Sequence, residues 1–390
     1  MAQRVGLETS LACSEAVRLA DADVVAAYPI TPQTHIVEHL SELVADGHLD
    51  AEFVPVESEH SAMSACIGSA AAGARTFTAT SAQGLALMSE VLFIASGMRL
   101  PMVMAVANRA LSAPISIWND HSDVMSVRDC GWIQLFCENG QEVMDLTIAA
   151  FKITEDPRVM LPVMVNMDGF ILTHVIEPIF IPGPEEVKAY LPPFEPRFRL
   201  DPFKPMTMGA VGVPEVYTEH RLQLQDAILS TMPVIQEHLD GFAEHFGRTY
   251  KPIETNGLEG AETALVTMGS VGETAMTALD EMRAEGEKVG QIRIRQWRPF
   301  PVDHFMEAAS KVKNLVIIDR AMSFGGAGGP VATELRAVMS NKPDAPKTAS
   351  FIAGLGGRDV TREDFKEMIR SAPEQIASGR SFDFFGAMEG

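Results

Sequence analysis

The sequence predicts an α/β protein whose strands form parallel sheets. Short apolar, β-prone stretches alternate along the chain with stretches of helical pattern, which is typical of β-α-β units. Residues 101–107 (PMVMAVA) and 161–167 (LPVMVNM) show no alternation of polar and apolar side chains, as expected for strands covered on both faces. Polar side chains follow the ends of several strands. Together these features indicate a ligand-binding crevice along the carboxyl edge of the sheet.

The first elements end in a rigid turn. Residues 7–20 form a candidate amphipathic helix, and residues 23–28 (DVVAAY) form a candidate strand. Two prolines in residues 29–32 (PITP) restrict the backbone, so Thr31 is held at the carboxyl end of that strand. Thr31 would then cap a helix over residues 33–46, contact a ligand, or do both.

Residues 53–84 are the stretch around which the predicted site is organised. They predict a strand, a helix of mostly small residues and a second strand, at residues 53–56, 61–74 and 76–80. Ser58 is the predicted N-cap of the helix, with Ser61 as the alternative. Glu59 lies between a strand end and a helix start, where open α/β sheets bind ligands. The other interpretation of Glu59 is a favourable charge at a helix N-terminus.

A second group of polar residues follows further along the chain. A buried helix is predicted at residues 85–98, directly after Gln83 and Gly84, and the PMVMAVA strand ends in Asn108 and Arg109. Arg109 suits a bidentate hold on a carboxylate or phosphate. The alternative is a structural salt bridge in an acidic protein.

The polar segment 112–123 contains Trp, Asn and His, which favours a functional loop; the alternative is a loop ordered by the packing of Trp118. The LPVMVNM strand ends in Asp168. The polar residues predicted to meet in one crevice are Thr31, Glu59, Ser81, Gln83, Asn108, Arg109 and Asp168. The residues alone therefore predict an α/β enzyme or enzyme subunit that acts on a small anion.

The rest of the chain predicts a second, smaller α/β domain. Residues 176–212 are rich in proline and predict a surface strap, residues 215–247 predict one long helix, and residues 248–260 predict a linker. The domains are thus expected at residues 1–250 and 260–390. Second-domain strands are predicted at residues 264–268, 289–294, 314–319 and 349–353.

A glycine-rich loop at residues 325–329 follows one of those second-domain strands. It lacks the spacing of a dinucleotide-binding fingerprint. It is therefore interpreted as a tight turn, with nucleotide binding as the weaker alternative.

Composition excludes several classes of function. The net charge of −21 argues against non-specific binding to nucleic acid or to anionic membranes. No apolar run is long enough to span a bilayer and no signal core is present, which predicts a soluble cytoplasmic protein. The four cysteines show no Cys-x-x-Cys spacing, so no metal site is predicted in this chain.

Several motifs together resemble the alpha subunit of the pyruvate:ferredoxin oxidoreductase family. The resemblance runs in order from about residue 5 to about residue 365, on residues 28–32 (YPITP), 57–62 (ESEHSA), 78–88 (TATSAQGLALM), 108–114 (NRALSAP), 117–120 (IWND), 170–174 (FILTH), 298–301 (RPFP) and 353–360 (AGLGGRDV). It implies a thiamin-diphosphate-binding pyrimidine-type domain followed by a transketolase-C-terminal-like α/β domain.

The resemblance also implies roles for single residues. Glu59 matches the glutamate that hydrogen-bonds the aminopyrimidine ring of the cofactor and promotes loss of the thiazolium C2 proton. Thr31 and Arg109 match residues that hold the substrate carboxylate, and Asn108 is grouped with them. The cofactor-binding residues implied are Pro29, Glu59, Gln83 and Gly84.

The same resemblance implies partners, since nothing here matches a diphosphate–magnesium motif or a cluster-binding cysteine set. A beta subunit is expected to bring the diphosphate and Mg²⁺ site and [4Fe-4S] ligands, beside a gamma subunit and a ferredoxin-like subunit. Coenzyme A is the expected co-substrate, and ferredoxin or a similar protein the electron acceptor.

Three other functions remain open from the sequence. One is the same reaction on another 2-oxoacid, such as phenylglyoxylate or 2-oxoisovalerate. Another is a non-catalytic scaffold subunit that kept the fold. The third is a nicotinamide dehydrogenase that uses the glycine-rich loop.

Overall fold

The computed structural model describes residues 3–388 and contains three sheets. The elements of its first part are β1 Gln3–Glu8, α1 Thr9–Leu19, β2 Val24–Ala27, α2 Thr34–Ala45, β3 Glu52–Pro55, α3 Glu59–Ala72, β4 Thr76–Thr80, α4 Ala82–Gly97, β5 Val103–Asn108, α5 Ser122–Ser126, β6 Ile133–Phe136, α6 Gly140–Glu155, β7 Val163–Asp168, β8 Ile176–Ile181, α7 Pro184–Tyr190, α8 Pro214–Leu229 and α9 Met232–Phe246. Those of the second part are β9 Ile253–Asn256, β10 Thr263–Met268, α10 Val271–Ala284, β11 Val289–Ile294, β12 Gln296–Arg298, α11 Val302–Ala309, β13 Asn314–Asp319, α12 Pro330–Met339, β14 Lys347–Ile352, α13 Arg362–Ser378 and β15 Asp383–Phe384, with a 3₁₀ turn at Leu355–Gly357.

The main sheet has seven strands in the order β12-β6-β7-β5-β4-β2-β3. All neighbours are parallel except β12, which runs antiparallel to β6. Every residue of β4, β5, β6 and β7 is buried, because helices cover both faces. The predicted parallel α/β sheet is therefore confirmed.

The second sheet has six strands in the order β15-β14-β13-β10-β11-β9. Its strands are parallel apart from β9, which pairs antiparallel with β11. One apolar cluster runs from the first sheet to the second, and it contains Trp132, Met164, Ile292 and Trp297. The two sheets thus share part of their core.

Four predicted segments differ from the structure. The helix predicted at residues 7–20 begins at Thr9, and the residues before it form β1, which pairs antiparallel with β8. The predicted strap at residues 176–212 starts with β8 and the short helix α7. The predicted linker 248–260 contains β9, the antiparallel edge of the second sheet.

The long helix predicted at residues 215–247 is two helices, α8 and α9. The break falls at Ser230 and Thr231, where the Thr231 hydroxyl donates to the carbonyl of Ile228. Pro233 is the second residue of α9, a first-turn position at which proline is well tolerated. A new helix start at this point is therefore the arrangement that accommodates the proline.

Candidate active site

Glu59 is the first residue of α3 and lies just beyond the carboxyl end of β3. Ser58 caps this helix by accepting a hydrogen bond from the backbone N–H of Ser61 at 3.2 Å, as predicted. Glu59 is only 7% exposed, yet its carboxylate has no hydrogen-bond partner within residues 3–388. Neither carboxylate oxygen of Glu59 is among the fully buried unpaired atoms, so the group remains accessible to a ligand.

Gly84 lets the Glu59 side chain lie against the first turn of α4. A Cβ atom added at Gly84 would be 2.7 Å from both Cγ and Oε1 of Glu59, and 2.6 Å from Oγ1 of Thr80. Real Cβ contacts do not occur at such distances, so a side chain at this position would force Glu59 or Thr80 to shift. The close approach supports the predicted grouping of Glu59 and Gly84.

Three side-chain oxygens at the junction of β4 and α4 are buried without a partner in the described part of the chain. They are Oγ1 of Thr80, Oγ of Ser81 and Oε1 of Gln83. The amide nitrogen of Gln83 is used, since it donates to the Ser112 hydroxyl at 2.8 Å. These unpaired oxygens belong to the end of β4 and the first turn of α4, beside Gly84.

Arg109 lies at the carboxyl end of β5 and is held by two carbonyl groups. Its Nη1 donates to the carbonyl of Thr31 at 2.9 Å, and its Nε donates to the carbonyl of Ser116 at 2.7 Å. Burial lowers the pKa of the Arg109 guanidinium, while the negative charge of Asp123 opposes that shift. Nη2 has no partner among the described residues, so one face of the fork is free for an anion.

Thr31 is exposed and precedes a cis peptide bond to Pro32. The predicted role of Thr31 as a helix cap is wrong, because α2 begins at Thr34 and its N-cap position is Gln33. The Gln33 amide nitrogen instead donates to the carbonyl of Ala79 at 2.7 Å, which ties the turn to β4. The Thr31 hydroxyl is thus free of any capping duty.

The Asn108 side chain points into a polar network and not toward Arg109's free face. Its amide nitrogen donates to Asp123 at 3.1 Å and to Asn166 at 3.2 Å. Its Oδ1 atom is buried and has no partner among the residues that the structure describes. An amide with both donor hydrogens committed has none left for a substrate carboxylate.

Asp123 is a residue that sequence inspection did not single out. It is fully buried, and it accepts hydrogen bonds from the backbone N–H groups of Ala82, Arg109 and Val124 as well as from Asn108. Burial raises the pKa of Asp123 to about 7 despite these hydrogen bonds. No local pattern marks it, because its partners come from the ends of two different strands.

The segment 112–123 lies between the two parts of the chain. The ring of Trp118 packs on Phe170 with centroids 4.7 Å apart, and the Asp120 carboxylate accepts from the backbone N–H of Gly356 at 3.1 Å. The loop is thus ordered by packing, and its Ser116 carbonyl accepts a hydrogen bond from Arg109; its functional role stays a prediction.

Asp168, which was grouped with the crevice, instead joins the two sheets. Its carboxylate bonds to His121 and to Arg320, both at 2.8 Å, and accepts from the Ser270 backbone N–H at 2.9 Å. Burial alone would raise the pKa of Asp168, but the charges of Arg320 and His121 outweigh it and hold that pKa well below its usual range. Asp168 is therefore committed to structure and has no free oxygen for a ligand.

Family profiles cover most of the chain. Residues 15–239 match the profile described as pyruvate flavodoxin/ferredoxin oxidoreductase, thiamine diP-binding. Residues 261–365 match pyruvate:ferredoxin oxidoreductase core domain II. The chain belongs to the pyruvate flavodoxin/ferredoxin oxidoreductase family. The family predicted from the motifs is thereby confirmed, and so is the prediction that the chain is a subunit of an oxidoreductase.

Curated relatives match the oxidoreductase chain over nearly its whole length. Pyruvate synthase subunit PorA of Methanocaldococcus jannaschii is 53% identical over 361 residues, covering 92% of this chain and 92% of the relative. The subunit of that name from Thermotoga maritima is 46% identical over 371 residues, covering 95% and 94%. Ketoisovalerate oxidoreductase subunit VorA of Pyrococcus horikoshii is 44% identical over 359 residues, covering 92% and 90%.

Solved structures show the same fold at low identity. A 2-oxoglutarate:ferredoxin oxidoreductase from Magnetococcus marinus, solved with 2-oxoglutarate, coenzyme A and succinyl-CoA, aligns at TM-score 0.70 and 22% identity. The alignment covers 96% of this chain and 65% of that one. A split-gene transketolase aligns at TM-score 0.56 and 13% identity, covering 94% and 98%. The predicted transketolase-like fold class is confirmed.

The remaining predictions concern the cysteines, metal ligands and membrane-spanning helices of this chain. Cys13, Cys66, Cys130 and Cys137 are buried free thiols, and burial raises the pKa of the first three to about 12. Within residues 3–388 no group of three or more His, Cys, Asp or Glu residues could hold a metal ion. The same part of the chain has no helix that is both long and apolar enough to cross a membrane.

The glycine-rich loop leads into α12, whose N-terminus is already occupied. The Asp319 carboxylate accepts from the backbone N–H groups of Val331 and Ala332 at 2.7 and 3.0 Å. A side chain at Gly329 would collide with that carboxylate. Since an anionic side chain fills the position that a nucleotide phosphate would take, the tight-turn interpretation fits this loop better.

Proposed function

We propose that this chain is the alpha subunit of a multi-subunit pyruvate:ferredoxin oxidoreductase that catalyses coenzyme A-dependent oxidative decarboxylation. The observation that carries the proposal is the pairing of two features at one sheet edge. The Arg109 guanidinium donates a hydrogen bond to the backbone carbonyl of Thr31, and these two residues follow β5 and β2. Glu59, whose carboxylate has no partner within residues 3–388, follows β3, the neighbour of β2. An anchored cation and a free acid along one carboxyl edge suit an anionic substrate and a cofactor.

Thiamin diphosphate, when bound, would supply the carbanion and the electron sink that decarboxylation needs. Glu59 would hold the aminopyrimidine ring by a hydrogen bond and retain a proton at its carboxyl group. Gln83 and Gly84 would line the same side of the ring, and the backbone at Pro29 would lie nearby. The unpaired oxygens of Thr80, Ser81 and Gln83 support this placement, since each lacks a partner among residues 3–388.

Arg109 would bind the substrate carboxylate through its free guanidinium face, with the Thr31 hydroxyl as a second contact. Holding the carboxylate in one orientation contributes to catalysis by fixing the bond that breaks. We assign Asn108 to the support of this site and not to substrate contact, because its donors are committed to Asp123 and Asn166.

Pyruvate is the proposed substrate because the relatives at 53% and 46% identity are named pyruvate synthase subunits. A ketoisovalerate oxidoreductase subunit at 44% identity favours a second candidate, the branched 2-oxoacid. The two substrates share the carboxylate that Arg109 would bind. They differ in side-chain volume, so only a comparison of substrates separates them.

We further propose that a beta subunit completes the site with the diphosphate, Mg²⁺ and iron–sulfur ligands, beside gamma and ferredoxin-like subunits in the cytoplasm. Large apolar side chains near the site support a covering partner. Ile115 is 77% exposed and Ile176 is 70% exposed, and Ile117, Trp118 and Ile171 are also exposed. A partner interface would remove these side chains from solvent.

The test is anaerobic viologen reduction by the complex captured through a tag on this chain. A panel of 2-oxoacids is compared with and without coenzyme A. The highest kcat/KM with pyruvate, dependent on coenzyme A, is the expected result. Preference for a branched or aryl acid would replace the substrate. No reduction by a complex that contains thiamin diphosphate and clusters would favour the scaffold interpretation.

A further inference from the structure

Asp123 is a buried carboxylate that accepts hydrogen bonds from four N–H groups and, within residues 3–388, from no basic side chain. Its Oδ2 accepts from the backbone N–H groups of Ala82 at 3.1 Å and Arg109 at 3.0 Å. Its Oδ1 accepts from the side chain of Asn108 at 3.1 Å and from the backbone N–H of Val124 at 2.7 Å. One side chain therefore joins the ends of β4 and β5 to the start of α5.

The Ala82 end of this arrangement is conformationally unusual. Ala82 has a φ of +39°, which is rare for a residue with a side chain and is retained only where the surroundings hold it. Ala82 directly precedes Gln83 and Gly84 in the first turn of α4. Because Asp123 accepts the Ala82 N–H, it holds the turn against which Glu59 lies.

The Arg109 end lies on the same oxygen atom. Arg109 continues from Asn108, the last residue of β5, so its backbone position determines where the guanidinium begins. The shared Oδ2 fixes the spacing between the Ala82 and Arg109 backbones. The two ends of the guanidinium are then aligned by the Thr31 and Ser116 carbonyls.

We propose that Asp123 is a positioning residue that holds the Ala82–Gly84 turn and Arg109 in the mutual geometry the reaction requires. This inference rests on the proposed function, which assigns the turn to the cofactor and Arg109 to the substrate. A carboxylate suits the task because both of its oxygens accept, whereas an amide has one accepting oxygen and would turn an NH₂ group toward two donors.

The test compares Asp123→Asn with Asp145→Asn in the intact complex. Asp145 is an equally buried acid in α6, where it pairs with Arg248 and Tyr250 and not with any predicted site residue. We expect Asp123→Asn to raise the KM for the best 2-oxoacid about tenfold and to lower kcat about tenfold, since small misplacements of reacting groups have large effects. Asp145→Asn is expected to lower the unfolding temperature and leave KM unchanged.

A double variant separates positioning from a general loss of structure. If Asp123 acts through Arg109, Asp123→Asn should change KM little in an Arg109→Lys background. Both substitutions would then disturb the same orientation of the side chain at position 109. A full, additive effect of Asp123→Asn in that background would overturn the proposal. An equal change of KM in Asp123→Asn and Asp145→Asn would overturn it as well.

Hydrogen exchange gives a readout that does not depend on substrate. In Asp123→Asn, peptides spanning residues 80–86 and 106–112 should both exchange faster than in the wild-type complex, and unchanged exchange would overturn the proposal. If the wild-type complex oxidises no 2-oxoacid, the proposed function fails while this exchange still decides whether Asp123 fastens both turns. Should Asp123→Asn not assemble, Asp123→Glu is used, since it keeps the charge and displaces both oxygens by a methylene.

Discussion

The guanidinium of Arg109 donates a hydrogen bond of 2.9 Å to the backbone carbonyl of Thr31. The two residues are 78 positions apart in the chain and follow different strands of the main sheet. The bond orients Arg109 without using its whole fork, so the remaining N–H groups are available to an anion. Because the bond uses the Thr31 backbone, the Thr31 hydroxyl is also left free.

Replacing Arg109 by Lys should weaken substrate binding while the fold is kept. A lysine ammonium cannot bond to the Thr31 and Ser116 carbonyls in the fixed planar geometry of a guanidinium and still present a free face. We expect the KM for pyruvate to rise tenfold or more, in line with the ~1.5–3 kcal/mol of a hydrogen bond to a charged group. Steady-state viologen reduction measures it.

The matched control for this change is Arg158→Lys. Arg158 pairs with Asp156 and Glu237 at the surface, and it does not contact the crevice. Its replacement should leave the KM for pyruvate unchanged. An unaltered KM in Arg109→Lys would show that the carboxylate is bound elsewhere.

Gly84→Ala should impair catalysis through the displacement of Glu59. The new Cβ would lie 2.7 Å from two atoms of Glu59, so the acid must move although alanine is the better helix former. We expect kcat to fall about 100-fold, the lower end of what a positioned acid or base contributes. Turnover of the assembled complex, saturated with thiamin diphosphate, gives the measurement.

Gly97→Ala, at the other end of the same helix, provides the comparison. A Cβ atom there meets nothing within 4 Å, so activity should stay at the wild-type level and stability should hold or rise slightly. If both alanine variants behaved alike, the contact between Gly84 and Glu59 would have no catalytic importance.

The pH dependence of activity should reflect Asp123. Burial raises the pKa of Asp123 to about 7, with the nearby Asp120 charge adding to it and the N–H donors opposing it. Above pH 7 the carboxylate is ionised and accepts hydrogen bonds from all four N–H groups. Below pH 7 the added proton points toward N–H donors and weakens these hydrogen bonds. We therefore expect kcat/KM to fall about tenfold per pH unit below this pKa.

The same shift has a defined sign for stability. A folded-state pKa above the ordinary value of Asp means that the folded chain holds a proton that the unfolded chain releases between about pH 4 and pH 7. The Asp123 contribution to the free energy of unfolding should thus decrease as pH rises through that window and remain constant above it. An acid limb of kcat/KM that persists unchanged in Asp123→Asn would assign the limb to another group.

Local patterns in the sequence predicted much of the main sheet. The lack of alternation in the fifth and seventh strands is explained by their complete burial, and the Ser58 cap was predicted from residue type and position alone. Glu59, Thr31 and Arg109 were placed at strand ends for the same reason, since strand boundaries can be inferred from nearby residues. The division into domains near residues 250–260 and the roles of these side chains stay predictions.

Features that depend on distant partners could not be predicted. The first strand pairs Gln3 with Ile181, so nothing local distinguishes it from the start of a helix. The strand Gln296–Arg298 returns to the main sheet by a pairing that no nearby residue signals. Asp123 was missed for the same physical reason, because its importance comes from donors that follow two other strands.

The most direct test of Glu59 is the exchange rate of the C2 proton of thiamin diphosphate bound to the complex, measured by NMR after quenching. Wild type is compared with Glu59→Gln and with Glu57→Gln, a neighbouring exposed acid that accepts from Ser61. We predict exchange at least about 100-fold slower in Glu59→Gln and unchanged in Glu57→Gln. Wild-type exchange in a Glu59→Gln complex that still binds the cofactor would contradict the proposed role of this chain.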